Sequence, residues 1–342
     1  MNRICCLVIF VLVIFCAAPH LQAQSDPWDA LYKAARGEGK VIWQLGSPVE
    51  NYRPMIDAFE KRYPGVKIEP VRSTASSMIA RLVTESTAGK VSVDVAFANL
   101  HNVRPLLDRD LLVRNDWKGF GNMDRSTFLL DGRYVTLYGF SSCVVYNTNL
   151  VSAAKVPRKW EDLLNPEWKG QICVPQTQIA ISVVFEIWDE SKAVKYLEAL
   201  AKQSLVVESG SNMTMPRCAN GEVALADTII TLLPAFKAQG MPIDVAPISP
   251  QWDSPYGVYS VKGAPHPNAA KLLMAWSITP EGQAANRKSG RGLSSPCNAS
   301  EQAQIYCDKG IKLIGIDSIE KGAKVDKMIE RTRTILGLKP PS

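Results

Sequence analysis

Short apolar runs alternate with amphipathic stretches over most of this chain, and the spacing of the apolar positions separates strand from helix. Residues 41–43 predict a buried strand. Gly46-Ser47-Pro48 breaks it, and a helix follows with Ile56, Phe59 and Tyr63 at helical spacing, stopped by Pro64-Gly65. Residues 66–71 predict the next strand. Residues 73–77 then open a helix with Met78, Leu82 and Val83 on one side. Residues 93–97 predict a third strand, and the stretch after Asn99 reads as helix through Val103, Leu106, Leu107 and Leu111. Strand and helix in regular alternation imply a parallel sheet with helices on both faces.

At residues 134–146 the rhythm changes to one long β-rich run, interrupted by Gly139 and Ser141-Ser142. It is long for a single strand and predicts a crossing from one domain into another. The alternation then restarts: a short helix at 160–164, strand 171–174, helix 179–202, strands 205–208 and 223–226, helix 229–239 and strand 243–248. Residues 256–261 predict a second crossing. Residues 268–288 predict one amphipathic helix with Leu272, Leu273, Ala275 and Trp276 near its apolar face. A last helix, 319–336, ends at Gly337 with Pro340-Pro341 beyond. The fold class expected is α/β: two α/β lobes joined by a strand hinge with a ligand cleft between them. Residues 24–138 and 259–342 would make lobe 1, and residues 139–258 lobe 2. Clefts between lobes are usual ligand sites, and hinge closure is a usual way for them to work.

Residues 1–23 carry one positive charge, Arg3, then the apolar run 4–18, and end in Leu21-Gln22-Ala23. This predicts a secretory signal peptide cleaved after Ala23 and a periplasmic location. The apolar run is short against the roughly 20 residues of a membrane span. An uncleaved anchor or lipid attachment at Cys16 are the rivals. Composition is that of a globular protein, with 46% apolar and 21% charged residues. The formal net charge of +6 becomes +5 once Arg3 leaves with residues 1–23. The positive residues are scattered, so no nucleic-acid stripe is visible and a monomeric protein is expected; the balance leans toward an anionic ligand. Five cysteines remain after cleavage: Cys143, Cys173, Cys218, Cys297 and Cys307. Cys297 and Cys307 lie in a polar stretch and are the expected bridge, while Cys143 and Cys173 sit in apolar runs as buried thiols.

The run 57–67, Asp-Ala-Phe-Glu-Lys-Arg-Tyr-Pro-Gly-Val-Lys, resembles a signature of bacterial extracellular solute-binding proteins. Further segments resemble the same family in the same order: Val93-Asp94-Val95 with Asn99, Val145-Tyr146-Asn147-Thr148, Pro157 with Trp160-Glu161-Asp162-Leu163, Trp168-Lys169-Gly170, Asn220-Gly221-Glu222-Val223-Ala224, and Thr279-Pro280-Glu281-Gly282-Gln283. The nearest group is the iron(III)/thiamine/phosphonate-type binding proteins of ABC importers. The resemblance implies a type II-like periplasmic binding protein that hands a small solute to an ABC permease in the inner membrane, with no cofactor. Iron members place two adjacent tyrosines after the segment matching 220–224. Residues 225–233 here contain none, and His101 and His266 are the histidines left after cleavage, so ferric binding of that kind is not expected.

In such a fold, ligand meets the loops just after the strands, where helix N-termini expose unpaired N–H groups that suit phosphate, carboxylate or sulfonate. Those loops carry Ser47; Ser73, Thr74 and Ser76; Gln176, Thr177 and Gln178; and Ser211 and Asn212. Each is equally a helix cap. Asn99 and Asp227 follow strands and either contact ligand or cap; Tyr256 either stacks on ligand or packs in the hinge. Trp43 and Trp188 are expected in the core and Trp252 at the cleft edge. The ligand expected is a small organic anion such as a phosphonate, sugar phosphate or carboxylate; Asp227 keeps thiamine or a polyamine open. A ligand-sensing receptor shares every one of these features. An exported hydrolase is the rival of another class, but the chain has no G-x-S-x-G, no H-E-x-x-H, no zinc-finger cysteine spacing and no P-loop. No catalytic residue is expected.

Overall fold

The computed structural model describes residues 26–177 and 180–339. The expected signal peptide with its cleavage site, Gln178 and Pro340-Pro341 lie outside the described residues. In the first lobe, Lys40–Leu45 pairs in parallel with Lys67–Arg72, from Lys40↔Lys67 to Leu45↔Arg72, and with Val95–Asn99 at Trp43↔Val95. The sheet continues antiparallel through Gln251–Ser260 to Tyr134–Asn147. One face, with Trp43, Leu45 and Phe97, packs on Phe59 and Trp276 from helices Arg53–Arg62 and Pro267–Ser277. The other, with Ala96, Ala98 and Tyr259, packs on Met78, Leu82 and Leu106. Buried Gln44 ties the strand ends together: its amide donates to the Ser73 carbonyl (2.7 Å) and its oxygen accepts from Phe97 N–H (2.8 Å).

The strand Tyr134–Asn147 is the expected first crossing. Its first half pairs with Gln251–Ser260, and from Ser142↔Ile229 to Tyr146↔Leu225 it pairs instead with Leu225–Ile229 in the second lobe. Ile172–Pro175 and Val206–Glu208 extend that second sheet in parallel. The interrupting serines are buried here and do the joining. Ser141 Oγ donates to Asp253 (2.6 Å), and Ser142 Oγ bonds Gln251 Oε1 (3.1 Å) and accepts from Trp252 N–H (3.0 Å). The second crossing is the whole strand Gln251–Ser260, longer than the sequence suggests because Trp252 and Ser254 alternate with Gln251 and Asp253 on two buried faces. The fold is mixed α/β with a curled sheet and two lobes.

Several single helices expected from periodicity are broken. Residues 179–202 divide at Asp189, whose carboxylate caps Glu190–Ala201 by accepting from Lys192 N–H (2.9 Å). Residues 268–288 divide at Thr279-Pro280: proline clashes with the preceding turn, and Thr279 caps Pro280–Lys288 through Gly282 N–H (3.1 Å). Apolar periodicity runs through both breaks because both halves face the same core. The strand after residue 222 runs later than expected, Leu225–Ile229, so the helix behind it shortens to Leu233–Ala238. Helix Pro27–Glu38 carries few buried side chains and was not legible from its pattern.

The last forty residues differ most from the expectation. Tyr306 and Ile311 pack with Cys143 and Cys173, and Ile316, Val325 and Leu336 pack with Trp160 and Trp252, in the cores of the second lobe. Ile319 alone reaches the first-lobe core. Helix Ile319–Ile335 therefore bridges the lobes, with Gly322 against the His101 ring on one side and Arg333 Nε donating to the Gln176 carbonyl (3.0 Å) on the other. The passage that leads there, residues 291–300, lies along the crossing strand: Gly139 N–H donates to Gly292 O (3.1 Å) and Ser294 Oγ to Asp253 (2.8 Å). The expected Cys297–Cys307 bridge closes this passage, and Cys143, Cys173 and Cys218 are buried free thiols.

The crossing strands tolerate no side chain at Gly257, where the register shifts and a Cβ would stand 2.2 Å from Val135 O. We expect Gly257→Ala to cost about 1–3 kcal/mol. Thermal melting checks this, and an unchanged Tm would show that the hinge strands yield locally.

Candidate functional site

The parallel strands of both lobes end at the level where the lobes meet, which is where α/β sheets bind ligands. Asn99 and Ser254 reach this seam from neighbouring strands of the first sheet, and Ser142 reaches it from the second. Asn99 ends Val95–Asn99, Ser142 lies at the partner exchange of the first crossing, and Ser254 lies on the second. With His101, Phe140, Ile229, Trp252 and the Val325–Asp326–Ile329 face of the bridging helix they enclose a cavity of about 90 Å³. Asn99 and Ser254 are each only 8% exposed, yet Asn99 Oδ1 and Ser254 Oγ have no hydrogen-bond partner, and neither does His101 Nδ1. Buried polar atoms are nearly always paired, so three unpaired ones among the residues around this cavity set the seam apart. A larger depression of about 670 Å³ around Trp117, Lys118 and Arg125 is open and sits at the far end of the crossing strands from the second lobe.

The other expected residues divide by role. Thr74 caps Ala75–Thr87 through Ser77 N–H (3.2 Å), Ser73 Oγ bonds the Thr74 carbonyl (3.2 Å), and Ser76 faces solvent beside Asn102 and Arg109. Ser47 Oγ accepts from Arg291 Nη2 (3.2 Å). Gln176 is held through its backbone by Glu208 O (2.8 Å) and by Arg333. Thr177 lies beside Gly210, which precedes helix Ser211–Ala219 and provides no side-chain cap. Ser211 is 3% exposed with Oγ unpartnered; Asn212 is exposed. Tyr256 lies in an aromatic row, stacked 5.7 Å from Tyr138 and 4.9 Å from Phe140. Trp252 lines the cavity but is buried, its indole N–H donating to Ser182 Oγ (3.0 Å). Trp43 is in the core as expected; Trp188 is only half-buried, under the Lys192 ammonium at 4.0 Å.

Asp227 does not cap the helix after its strand; it lies within Leu225–Ile229 and turns to the start of Ala180–Val183. Its carboxylate is fully buried and accepts from Ala180 N–H (3.1 Å) and Ile181 N–H (3.3 Å). Burial pushes its pKa up to about 8 against the lowering by those two bonds. Burial lowers the His101 pKa, opposed by the Asp326 carboxylate.

Arg291, His101, Ser254 and Asp326 were not singled out from the sequence. Arg291 is half-buried over the rings of Tyr52 (4.5 Å) and Tyr138 (5.6 Å), donates to Asn51 O (2.7 Å), and pairs with no carboxylate among the described residues. Only the three-dimensional return of residues 291–326 to the seam brings it and Asp326 into view; His101, two residues past Asn99, was the one signal available.

The family model for bacterial extracellular solute-binding proteins matches residues 54–311. A Fe(3+)-binding periplasmic protein of Serratia marcescens is 28% identical over 203 residues, 56% of each chain. The chain spans about half the length of the curated relatives it matches. Iron-bound HitA of Pseudomonas aeruginosa superposes with a TM-score of 0.69 at 14% identity, over 86% of this chain and 99% of that one. AfuA of Actinobacillus pleuropneumoniae, with fructose-6-phosphate bound, superposes with 0.67 at 21% identity, over 88% and 99%. These structural likenesses are likenesses of fold.

A carboxyl that is easier to protonate when folded favours the native state at low pH. Its contribution is complete below the unfolded value near 4 and is lost as pH rises to about 8. Asp227→Asn should flatten that part of the Tm-against-pH curve. Asp227→Ala should lower stability by about 1 kcal/mol through the lost cap while solute affinity holds. A fall in affinity without loss of Tm would instead make Asp227 a ligand contact.

Proposed function

We propose that this chain, which belongs to the bacterial extracellular solute-binding family, is the periplasmic receptor of an ABC importer for a small organic anion. The observation that carries the reading is the seam cavity, lined by Asn99 and Ser254 from the first sheet and by Ser142 and Ile229 from the second, with Asn99 Oδ1 and Ser254 Oγ buried without partners. A site that is incomplete in the empty protein and lies between two lobes suits capture by closure. In this reading residues 26–138 and 259–290 carry one jaw and residues 139–258 with the closing segment 303–338 the other, with helix Ile319–Ile335 across both. The protein performs no chemistry and passes its solute to a permease in the inner membrane.

The anionic class is supported by Arg291, whose guanidinium is aimed and held by Ser47, Asn51 and two aromatic rings without a carboxylate to neutralise it. The uncapped start of helix Ser211–Ala219, with Ser211 Oγ unpartnered beside Thr177, adds N–H donors of the kind that bind phosphate. The sugar phosphate bound to AfuA is consistent with that class. A ferric ion favours anionic oxygen ligands, whereas the strand ends here present amides and hydroxyls, and residues 225–233 hold no tyrosine.

Residues 24–342, stripped of carried-over ligand, should gain about 2.7 kcal/mol at 100 times the Kd of a cognate solute. A thermal-shift panel of phosphonates, sugar phosphates, carboxylates, polyamines, thiamine and Fe(III)-citrate reads this directly. Arg291→Gln should weaken the responding anion about 10–100-fold by removing a charge-assisted hydrogen bond. A response to the cations alone, unaffected by Arg291→Gln, would overturn the anionic reading.

A further inference from the structure

The passage 291–300 is a third link between the lobes, beside the two crossing strands, and a disulfide closes it. Its first-lobe end is held by Arg291, which donates to Asn51 O (2.7 Å) and Ser47 Oγ (3.2 Å). Its other end runs into helix Glu301–Asp308, seated in the second lobe by buried Tyr306, whose hydroxyl donates to Ser142 O (2.8 Å). Just beyond, Lys309 pairs with Asp244 (2.8 Å). Between these ends the passage presses on the first crossing strand. Gly139 N–H donates to Gly292 O (3.1 Å), Ser294 Oγ lies 2.8 Å from both Asp253 Oδ1 and Ser141 Oγ, and a Cβ on Gly139 would overlap Ser294.

Residues 295–298 form the outer turn of the passage, and all four are exposed. Ala299 N–H donating to Pro296 O (2.8 Å) is the turn's own backbone bond. The Cys297–Cys307 bridge fastens this turn to the last turn of the helix, and so fixes the segment from which Ser294 reaches the hinge. Cys307 is exposed like Cys297, whereas Cys143, Cys173 and Cys218 are buried. Burial pushes the Cys173 and Cys218 thiols up to about 12, which keeps them unreactive. Thiol exchange needs access to the sulfur, so it is directed to the bridge.

We propose that the Cys297–Cys307 bridge is a thiol-exchange site that sets the stiffness of the hinge, with a dithiol reductant as its reactant. A thiolate of the reductant attacks one sulfur of the bridge; the S–S bond breaks, and the other sulfur leaves as a thiolate and takes up a proton. The second thiol of the reductant then displaces the first cysteine from the mixed disulfide. Two electrons and two protons pass to the protein, and the reductant ends as a disulfide. With the turn released, Ser294 loses its hold on Asp253 and Ser141, and Gly139 N–H is uncovered. The inference goes beyond the solute reading and is independent of which solute is carried.

Hydrogen exchange read by mass spectrometry tests it on residues 24–342: oxidised, under dithiothreitol, and as the Cys297→Ser/Cys307→Ser double variant in both conditions. Iodoacetamide added to the native protein under dithiothreitol should label Cys297 and Cys307 and leave Cys143, Cys173 and Cys218 untouched. Reduction should speed exchange in the segments around Gly139 and Gly292 by about tenfold or more and leave Lys40–Leu45 unchanged. The double variant should exchange fast there from the start, with dithiothreitol adding nothing; should it fail to fold, the reduced wild type decides. A bridge that resists dithiothreitol in the native protein overturns the proposal. So does unchanged exchange around Gly139, or an equal rise in Lys40–Leu45, which would make the bridge a staple of the whole fold.

Discussion

A buried strand has to pair its backbone all along its length, and Tyr134–Asn147 meets that demand by exchanging partners at Ser141-Ser142. Before the exchange it belongs to the first sheet; after it, to the second. Everything else follows from this one change of partner. It sets the level at which the parallel strands of both lobes end, it requires buried hydroxyls where the two sheets part, and it leaves a seam. Ser141, Ser142, Gln251, Asp253 and Ser294 satisfy one another there. On the other face, Asn99 and Ser254 do not, and that asymmetry separates hinge from site.

The seam is electrically divided. Among the described residues Arg291 lies in the first lobe without a carboxylate, and Asp326 lies on the bridging helix 3.6 Å from His101 Nε2 and without a lysine or arginine. The bridging helix Ile319–Ile335 touches both lobes through Gly322 against His101 and through Arg333 at Gln176. Any relative motion of the lobes is therefore felt by the same helix that carries Asp326.

Much of this was readable from the chain. Residues 134–146 were long for a single strand, and the serine pair that interrupts them is the exchange point. Asn99 was legible because it ends a strand. The helix breaks at Asp189 and Pro280 were obscured, since apolar spacing continues through them while capping decides the boundary. The placement of residues 303–338 on the second lobe was not legible: amphipathic helices state that they pack, not against what. For the same reason Asp326 and Arg291 could not be found from spacing, because each reaches the seam only through the passage at 291–300 that follows the crossing strand. Asp227 was open between a ligand contact and a cap on the helix that follows; its bonds go instead to Ala180 and Ile181, at the start of an earlier helix that only the fold brings beside it.

The central claim is that solute is held at the seam by both lobes at once. A crystal structure of residues 24–342 with a solute that responds in solution tests it most directly. The account predicts density against Asn99 and Ser254 of the first sheet and against Ser142 and Ile229 of the second, with the anionic end toward Arg291. Solute seated instead in the open depression beside Trp117 and Arg125, with Asn99 Oδ1 and Ser254 Oγ still unpartnered, would contradict it.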